Sequence, residues 1–340
     1  MPFTRLSRLG AGHFGDVFLE RDDGLDRLCA AKVVSQPLGN PYDEAQAMLA
    51  ASHPNVAEIY SVDDDPATSD VVIRMRYHPR GSLETLYSGK PGEVGEVVRQ
   101  VEDACRGLHH LHGLGLLHRD IKPANVLVAD DGTAMLSDFG LTVEEGQTGS
   151  ATAMGYRAHL PPEAITGAGQ ITTTAGDIFA MGVTLYRLLE GDDGLNEIRA
   201  SGTAVENEIV AGRFPPNRFS PHVHDRLRRV VRKATRSDPN DRFASASDFR
   251  HALEAARPAV SWRVRTLAPA AVVWDGRDVA DGTEYLAQMT QDANGKWGFS
   301  VEKRLPGRAL RKQHALGIND VSRAEVVKHA YGVMGSLAQI

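Results

Sequence analysis

The hydrophobic pattern of this chain changes near Gly81, and this change sets the order of its secondary structure. Before Gly81 the sequence predicts one helix, at residues 43–51, and five short β-strands separated by turn residues. The predicted strands are residues 3–9, 16–21, 27–35, 56–62 and 71–77. After Gly81, apolar residues recur at spacings of three, four and seven from Val94 to Leu111, which predicts a long helix with one buried face. Further helices are predicted at residues 177–190, 223–235 and 245–256.

The helical pattern ends near Arg257 and Pro258, and the sequence beyond them has a different character. The elements predicted there are strands at residues 285–291 and 296–303, a hairpin turn at residues 292–295 and a helix at residues 322–337. We therefore expect two domains: a large one at residues 1–257, and a small α+β one of unknown role at residues 258–340.

Composition excludes several classes of protein. The 340 residues suit one large domain with a small one, and 42% hydrophobic residues are ordinary for a globular chain. A net charge of -6 disfavours a nucleic-acid partner. No apolar run is long enough to span a bilayer, so no membrane association is expected. Cys29 and Cys105 are too far apart in sequence for a metal-ligand spacing or a disulfide framework, which favours a reducing cytoplasm.

A glycine-rich motif lies between the first two predicted strands. Its members are Gly10, Ala11, Gly12, His13, Phe14 and Gly15. Glycine lets a backbone turn sharply and approach a phosphate closely, but this spacing alone is also compatible with an ordinary glycine-rich hairpin. A dinucleotide site is disfavoured because it needs a helix directly after the glycines, and Val17 continues a strand.

Further motifs follow in a fixed order along the chain. In sequence they are Lys32 on the third strand, Glu44 on the first helix, His118-Arg119-Asp120-Ile121-Lys122-Pro123-Ala124-Asn125, Asp138-Phe139-Gly140 and Pro161-Pro162-Glu163. Together with the glycine motif, this order is the protein-kinase signature. Residues 1–257 resemble the eukaryotic-like (Hanks-type) Ser/Thr protein kinases of bacteria. The resemblance implies an α+β, bilobal protein-kinase fold, with a strand-rich N-lobe and a helical C-lobe.

The resemblance implies a role for each motif in ATP-dependent phosphoryl transfer. The amides of residues 10–15 would cover the phosphates of ATP, and Lys32, held by Glu44, would contact the α- and β-phosphates. Mg²⁺ or Mn²⁺ would be held by the metal ligands Asn125 and Asp138. Asp120 would accept the proton of the substrate hydroxyl, with Lys122 near the transferred phosphate. The remaining residues assigned to nucleotide binding are Val17, Ala30, Met75 as gatekeeper, and Arg76 and His78 through their backbone.

Other matching residues are expected to be structural. Asp177 would brace the catalytic loop, and Glu163 would pair with Arg242 to anchor the activation segment. His118 and Phe139 are expected to pack internally.

The sequence departs from the family pattern at three positions. Tyr156 replaces a threonine that normally assists the catalytic pair, His159 replaces a tyrosine, and Arg76 replaces an acidic residue. The first two put the peptide-docking surface in doubt.

The sequence also bears on specificity and regulation. Lys122, two residues after Asp120, is typical of kinases that act on serine and threonine. Arg119 resembles the arginine that binds a phosphate on the activation segment, and the candidates for autophosphorylation are Thr148, Ser150 and Thr152. Two alternatives stay open at this point: a pseudokinase that serves as a binding or scaffold module, and a small-molecule kinase.

The C-terminal domain carries a basic cluster in an otherwise acidic chain. Its members are Lys303, Arg304, Arg308, Arg311, Lys312 and His314. A solvated surface accounts for such a cluster, and a docking site for an acidic partner is the sharper alternative.

Overall fold

The computed structural model describes residues 3–12, 15–34, 51–65, 68, 70–138, 143–144, 157–167 and 173–338. Within these residues the chain forms a strand-rich N-terminal lobe, a helical lobe and a C-terminal unit made of a sheet and a helix. No helix in the described ranges is both long and apolar enough to cross a lipid bilayer.

The N-terminal lobe is an antiparallel sheet of five strands in the order β1-β2-β3-β5-β4. The strands are β1 (Phe3–Gly12), β2 (Gly15–Asp22), β3 (Arg27–Val34), β4 (Ile59–Asp64) and β5 (Val71–Arg76). β-Branched residues on the two central strands suit a pleated sheet, and Val34, Val71 and Ile73 are buried in its core. The helix predicted at residues 43–51 lies outside the described residues except for Ala51, which is in a turn.

The fourth strand begins later than its sequence predicts. Residues 56–62 read as one strand, but β4 starts at Ile59. Val56 instead bridges to Leu136 in parallel, and the N–H of Ala57 donates to the carbonyl oxygen of Leu136 at 2.8 Å. This segment therefore connects the N-terminal lobe to a strand of the helical lobe.

The helical lobe is built around two buried helices. Its helices are α1 (Leu83–Tyr87), α2 (Val94–Gly113), α3 (Pro162–Thr166), α4 (Thr174–Glu190), α5 (Asp193–Ala200), α6 (Val205–Val210), α7 (Asp225–Ala234) and α8 (Ala246–Glu254). Its short strands are β6 (Leu116–Leu117), β7 (Val126–Val128), β8 (Ala134–Leu136) and β9 (Val143–Glu144). The predicted apolar face of α2 is buried, and α4 is buried all round from Asp177 to Leu189, as expected for the centre of a lobe.

The C-terminal unit is a six-stranded antiparallel sheet packed against one helix. Its elements are β10 (Val260–Ala268), β11 (Ala271–Asp278), β12 (Glu284–Gln291), β13 (Trp297–Arg304), β14 (Arg311–Lys312), β15 (Ile318–Val321) and α9 (Arg323–Leu337). The predicted hairpin joins β12 to β13: Gly295 has a φ of 77°, and Asp292 Oδ1 accepts the N–H groups of Asn294 and Lys296. Ser322 and Glu325 form a capping box that starts α9.

The C-terminal unit packs against the helical lobe through β10. Val260 and Trp262 of β10 belong to the same buried cluster as the apolar face of α2. The side chain of Arg257 pairs with Glu102 on α2, and the hydroxyl of Ser261 lies 2.9 Å from the N–H of Gly95.

Candidate active site

The loop predicted to be catalytic follows α2 and β6, and two of its side chains bond to one buried carboxylate. Asp120 is 3% exposed. Its Oδ2 accepts the ammonium of Lys122 at 2.6 Å and the side-chain amide of Asn125 at 2.8 Å. The Asn125 amide also donates to the Asp120 carbonyl oxygen, and the Asn125 carbonyl accepts the N–H of Ser137. The loop is thereby tied to the strand that leads to Asp138.

A second buried carboxylate holds this loop from behind. Asp177, in the first turn of α4, accepts the backbone N–H groups of His118 at 2.9 Å and Arg119 at 2.8 Å, and His112 Nε2 at 2.9 Å. Burial by itself would raise the pKa of Asp177, but the hydrogen bond and charge of His112 outweigh burial and hold that pKa below its usual value. Asp177 therefore remains an ionised acceptor, as predicted for a brace.

The braced backbone is locally strained. Arg119 and Asp138 have φ values of 67° and 63°, in a region that residues other than glycine seldom adopt. Each such residue costs about 1–3 kcal/mol and persists only where its surroundings enforce it. His118, fully buried as predicted, has a pKa lowered by burial and accepts the N–H of Asp120 at 3.3 Å through Nδ1.

Lys32 and Asp138 meet across the cleft between the lobes. Lys32, on β3, is 5% exposed, and its ammonium forms an ion pair with the Asp138 carboxylate. Burial acts to raise the pKa of Asp138, but the charge of Lys32 outweighs it and holds that pKa below its usual value. The Asp138 side chain is 29% exposed. A cation and an ionised carboxylate thus lie together where two motifs far apart in sequence converge.

Apolar residues assigned to nucleotide binding also come together. Ala30 pairs with Met75 across β3 and β5, and Val17 pairs with Lys32 across β2 and β3. Ala30 and Met75 belong to one buried cluster, and Val17 packs against it. The chain continues from β5 through Arg76, the last residue of that strand, to His78, whose carbonyl accepts the N–H of Gly81 at 2.9 Å.

The described part of the glycine motif lies at the end of β1, which finishes at Gly12, and at the start of β2, which begins at Gly15. Gly15 has a φ of +135°, and a Cβ there would lie 1.9 Å from the carbonyl oxygen of Val33, so only glycine fits. Gly10 has open space where a Cβ would be. Ala11 and Gly12 are described through their backbone, and His13 and Phe14 lie outside the described residues.

A bidentate ion pair closes the helical side of the site. Arg242 Nη1 and Nη2 each lie 2.7 Å from an oxygen of Glu163, as predicted. The guanidinium also donates to the carbonyl oxygens of Ala175, Arg236 and Ser237. Such planar, charge-assisted pairs are strong, and this one fixes the start of α3 against α4.

The comparison with known proteins decides the family. The family described as "Protein kinase domain" matches residues 3–254. The chain belongs to the protein kinase family.

Three relatives show how far the similarity extends. The kinase is 30% identical to the serine/threonine-protein kinase PknJ of Mycobacterium tuberculosis over 267 residues, which are 73% of this chain and 44% of that protein. It is 28% identical to the serine/threonine-protein kinase PrkC of Bacillus subtilis over 252 residues, 71% of this chain and 38% of that one. It is 32% identical to the serine/threonine-protein kinase TOS3 of Saccharomyces cerevisiae over 224 residues, 56% of this chain and 40% of that one. The chain thus spans less than half the length of these relatives.

The kinase site offers oxygen atoms that suit a divalent cation. The side-chain NH₂ group of Asn125 donates both of its hydrogen bonds to Asp120, so the side-chain oxygen Oδ1 of Asn125 is the atom that can bind a cation. Asp138 supplies an ionised carboxylate. Mg²⁺ is commonly held by one or two carboxylates together with substrate phosphates, so these two ligands fit it. The described residues contain no cluster of three or more His, Cys, Asp or Glu side chains able to hold a metal by themselves.

Several predicted residues of the kinase lie outside the described part of the chain. They are Glu44, Phe139, Tyr156, and the candidate phosphorylation sites Thr148, Ser150 and Thr152. His159, which replaces a tyrosine, is described and is 4% exposed. Burial, followed by the charges of Arg187 and Lys122, lowers the pKa of His159 well below its usual value, so it is a neutral core residue.

Sequence reasoning missed His112, which completes the brace around Asp177. The apolar periodicity of α2 ends at Leu111, and His112 lies one residue beyond it, in the last turn. Its place in that turn, six residues before His118, was the only signal. A histidine at a helix C-terminus interacts favourably with the helix dipole, which is an equally good explanation when the partner is unknown.

Proposed function

We propose that this kinase transfers the γ-phosphate of ATP to serine or threonine hydroxyls of protein substrates. The observation that supports this most is that Lys122 and Asn125 both bond to Asp120, while the backbone carbonyl of Asn125 accepts the N–H of Ser137, the residue before Asp138. Phosphoryl transfer depends mainly on positioning and charge stabilisation, and this arrangement supplies both.

In this proposal Asp120 orients the substrate hydroxyl. Lys122 and Asn125 both bond to Oδ2, so the hydroxyl proton is accepted at Oδ1. Lys122, already charged and 20% exposed, is placed to stabilise the transferred phosphoryl group. Asp177 keeps the strained loop fixed, so the carboxylate does not have to reorganise during the reaction.

ATP and Mg²⁺ or Mn²⁺ are the proposed cofactors. A bound cation neutralises charge on the β- and γ-phosphates, and Asn125 and Asp138 would hold it. Lys32 would exchange its partner Asp138 for the α- and β-phosphates, with Glu44 as the proposed second partner. The adenine would contact Val17, Ala30 and Met75 and the backbone of Arg76 and His78, and the amides of residues 10–15 would cover the phosphates.

Replacement of the catalytic carboxylates tests the proposal. Asp120→Asn and Asp138→Asn should each lower the rate of phosphate transfer to protein by several orders of magnitude, because both act on the reacting groups. Asp131→Asn, on the exposed turn between β7 and β8, is the matched control and should keep full activity. A wild type that labels no protein but labels small molecules would favour a small-molecule kinase, and one that binds ATP without any transfer would favour a pseudokinase.

Two finer features are part of the proposal. Lys122 and the names of the relatives support serine and threonine as acceptors, which phosphoamino-acid determination checks. Autophosphorylation at Thr148, Ser150 or Thr152 would place a phosphate near Arg119 and order the activation segment. Full activity of a triple alanine variant toward an added substrate would exclude this switch.

The C-terminal unit is proposed to start at residue 258 and to be dispensable for nucleotide binding. Within the basic cluster Arg304 pairs with Glu284, and Lys303 lies 5.6 Å from the ring centre of Tyr285. Arg308, Arg311 and Lys312 are exposed, and an acidic protein partner is proposed for them. A cytoplasmic location is proposed because Cys29 and Cys105 are buried free thiols.

A further inference from the structure

Two cavities with arginine-containing walls lie along α2. Carboxylates as well as arginines line the first, of about 430 Å³, whereas no carboxylate lines the second, of about 360 Å³. This second cavity lies beside the C-terminal half of α2, between α8 and the segment before β4. Its lining residues are His53, Arg106, His109, His110 and Arg250. Every one of them carries an imidazole or a guanidinium, so its wall is rich in hydrogen-bond donors. We call it the histidine–arginine cavity.

Two of the histidines form a stacked pair. The rings of His53 and His110 are 4.9 Å apart between centres and 22° from parallel. The N–H of Asn55 donates to His53 Nδ1 at 3.0 Å, so a neutral His53 ring carries its proton on Nε2. His110 Nε2 is buried and has no hydrogen-bond partner among the described residues. Asn55 therefore leaves the Nε2–H of a neutral His53 available, whereas His110 Nε2 is shielded from solvent in this structure.

The two arginines are held in place by carboxylates outside the lining. Arg250 Nη1 lies 2.5 Å from Glu254 Oε1, and Arg106 Nη2 lies 3.7 Å from the same oxygen. Arg106 is also paired with Asp103, one turn away on α2. A guanidinium has five N–H donors, and these pairs use only part of that capacity while fixing the orientation of both groups.

The local electrostatics favour an anion. Burial, followed by the charges of His110 and Arg106, lowers the pKa of His53 below its ordinary value of 6.5. No carboxylate raises the pKa of His53. Asp103 and Glu254 pair with the arginines but do not line the cavity. A bound anion would reverse this effect and favour protonated histidines. A metal is disfavoured because no three His, Cys, Asp or Glu side chains of the described residues, the three histidines of this cavity included, are arranged to hold one ion.

We propose that the histidine–arginine cavity binds a phosphate-type anion, either a free phosphate compound or a phosphate ester on a protein side chain. Its volume accommodates a group of that size, and the fork geometry of two guanidinium groups matches phosphate oxygens. The site is distinct from the catalytic centre, because none of its lining residues contacts Asp120, Lys122 or Asn125. It joins the segment before β4 to α2 and α8 and is independent of the proposed activity.

Direct binding of sodium pyrophosphate tests this proposal. Isothermal titration is performed with the nucleotide site saturated by a non-hydrolysable ATP analogue, so that pyrophosphate does not compete there. Charge-assisted hydrogen bonds suggest that an Arg106→Gln, Arg250→Gln double variant binds at least about tenfold more weakly than wild type. Arg99→Gln is the matched control: Arg99 lies on the same helix, bonds to the carbonyl of Gly95 at 3.4 Å and does not line this cavity.

The pH dependence gives a second readout. A protonated His53 holds an anion more strongly, so the ratio of wild-type to His53→Gln affinity should be larger at pH 5.5 than at pH 8, a comparison in which the titration of pyrophosphate itself cancels. His53→Gln, which keeps an oxygen to accept the Asn55 N–H, should show a weaker pH dependence. This single variant decides the question if the double arginine variant does not fold. Equal affinity in all variants, or no binding at millimolar pyrophosphate, overturns the proposal.

The source of the anion is distinguished by a third comparison. A phosphoserine peptide and its unphosphorylated form are titrated under the same conditions as pyrophosphate. Tighter binding of the phosphopeptide than of pyrophosphate supports a phosphorylated protein segment as the ligand, and the reverse order supports a free phosphate compound. Equal binding of the two peptide forms, together with no pyrophosphate binding, contradicts the site.

Discussion

The two ends of α2 are held by opposite kinds of interaction. At its C-terminal end, His112 bonds to the ionised Asp177, which in turn holds the backbone of the catalytic loop. Near its N-terminal end the helix lies against β10, and Val260 and the fully buried Trp262 of that strand belong to the same buried apolar cluster as its apolar face. A polar network fixes positions and charge states, whereas apolar burial contributes stability with little directional preference.

The N-terminal end of α2 also has polar contacts with β10, one of which joins Arg263 Nη2 to Glu93 Oε2 at 3.2 Å. Glu93, the N-cap residue of α2, makes no capping hydrogen bond with its side chain. The hydroxyl of Ser261 accepts the N–H of Gly95 at 2.9 Å instead, and donates to Glu93 Oε1 at 2.8 Å. A Cβ at Gly95 would lie 2.7 Å from that hydroxyl oxygen, so glycine permits the contact. The C-terminal unit thus caps a helix of the kinase domain.

The largest effect is expected at the polar end. Asp177→Ala should lower activity at least 100-fold and destabilise the fold by about 3–5 kcal/mol, because it removes one partner from a buried charged network. Kinase assays and urea unfolding measure the two effects. Asp177→Asn, which keeps the shape but changes the charge, should fall between wild type and alanine. Unchanged activity in Asp177→Ala would show that the loop holds its strained backbone without the brace.

At the apolar end, stability and activity should separate. Trp262→Ala should cost about 3–5 kcal/mol through the cavity it leaves. Activity per folded molecule should stay within about twofold, because no directional contact to the catalytic loop is lost. Trp262→Phe should recover most of the stability, since the indole N–H has no partner among the described residues. A large loss of activity in folded Trp262→Ala would mean that the two ends are coupled.

A smaller effect on stability is expected from pH, through Glu190 at the C-terminal end of α4. Asp177 lies in the first turn of α4, whereas Glu190 is its last residue, where the helix dipole disfavours a carboxylate. Burial raises the pKa of Glu190 to about 7, although Ser220 donates two hydrogen bonds to it. The folded state therefore holds a proton that the unfolded state releases above pH 4.5, and stability should fall by roughly 1–3 kcal/mol from pH 4.5 to pH 7 on this account.

The Glu190→Gln variant isolates this contribution. Glutamine can still accept the Ser220 hydrogen bonds but does not titrate, so the variant should lose this part of the pH slope in urea unfolding. Arg218 and Arg228 are the charged groups that act on Glu190 in the opposite direction. An identical slope in wild type and variant would assign the pH dependence to other groups.

The smallest effect is expected from the cap itself. Ser261→Ala should destabilise the protein by about 1 kcal/mol, the usual cost of losing a helix N-cap. Ser261→Thr retains a hydroxyl and should cost less. In a double variant of Ser261→Ala and Asp177→Asn, the two losses of unfolding free energy should add within about 0.5 kcal/mol, as expected for sites far apart on a rigid helix. A clear departure from additivity would show that the two ends communicate through α2.

Much of the candidate catalytic centre could be predicted from the sequence. Lys32, Asp120, Lys122, Asn125 and Asp138 were assigned from the order and spacing of their motifs, and the structure brings them together in two bonded groups. Local patterns also predicted the long helix α2 and the hairpin at residues 292–295. These features depend on residues close in sequence or on motifs whose order is distinctive.

Contacts between distant segments were decided only by the tertiary structure. The sequence gives no sign that Ser261 caps Gly95, which lies 166 residues earlier, or that His112 bonds to Asp177. Val56 is apolar and β-branched, so it suits a strand of either lobe equally well. In the structure it pairs with Leu136 rather than with β5. Periodicity reports which face of an element is buried, whereas packing in three dimensions decides which neighbour buries it, since many apolar surfaces can cover the same face.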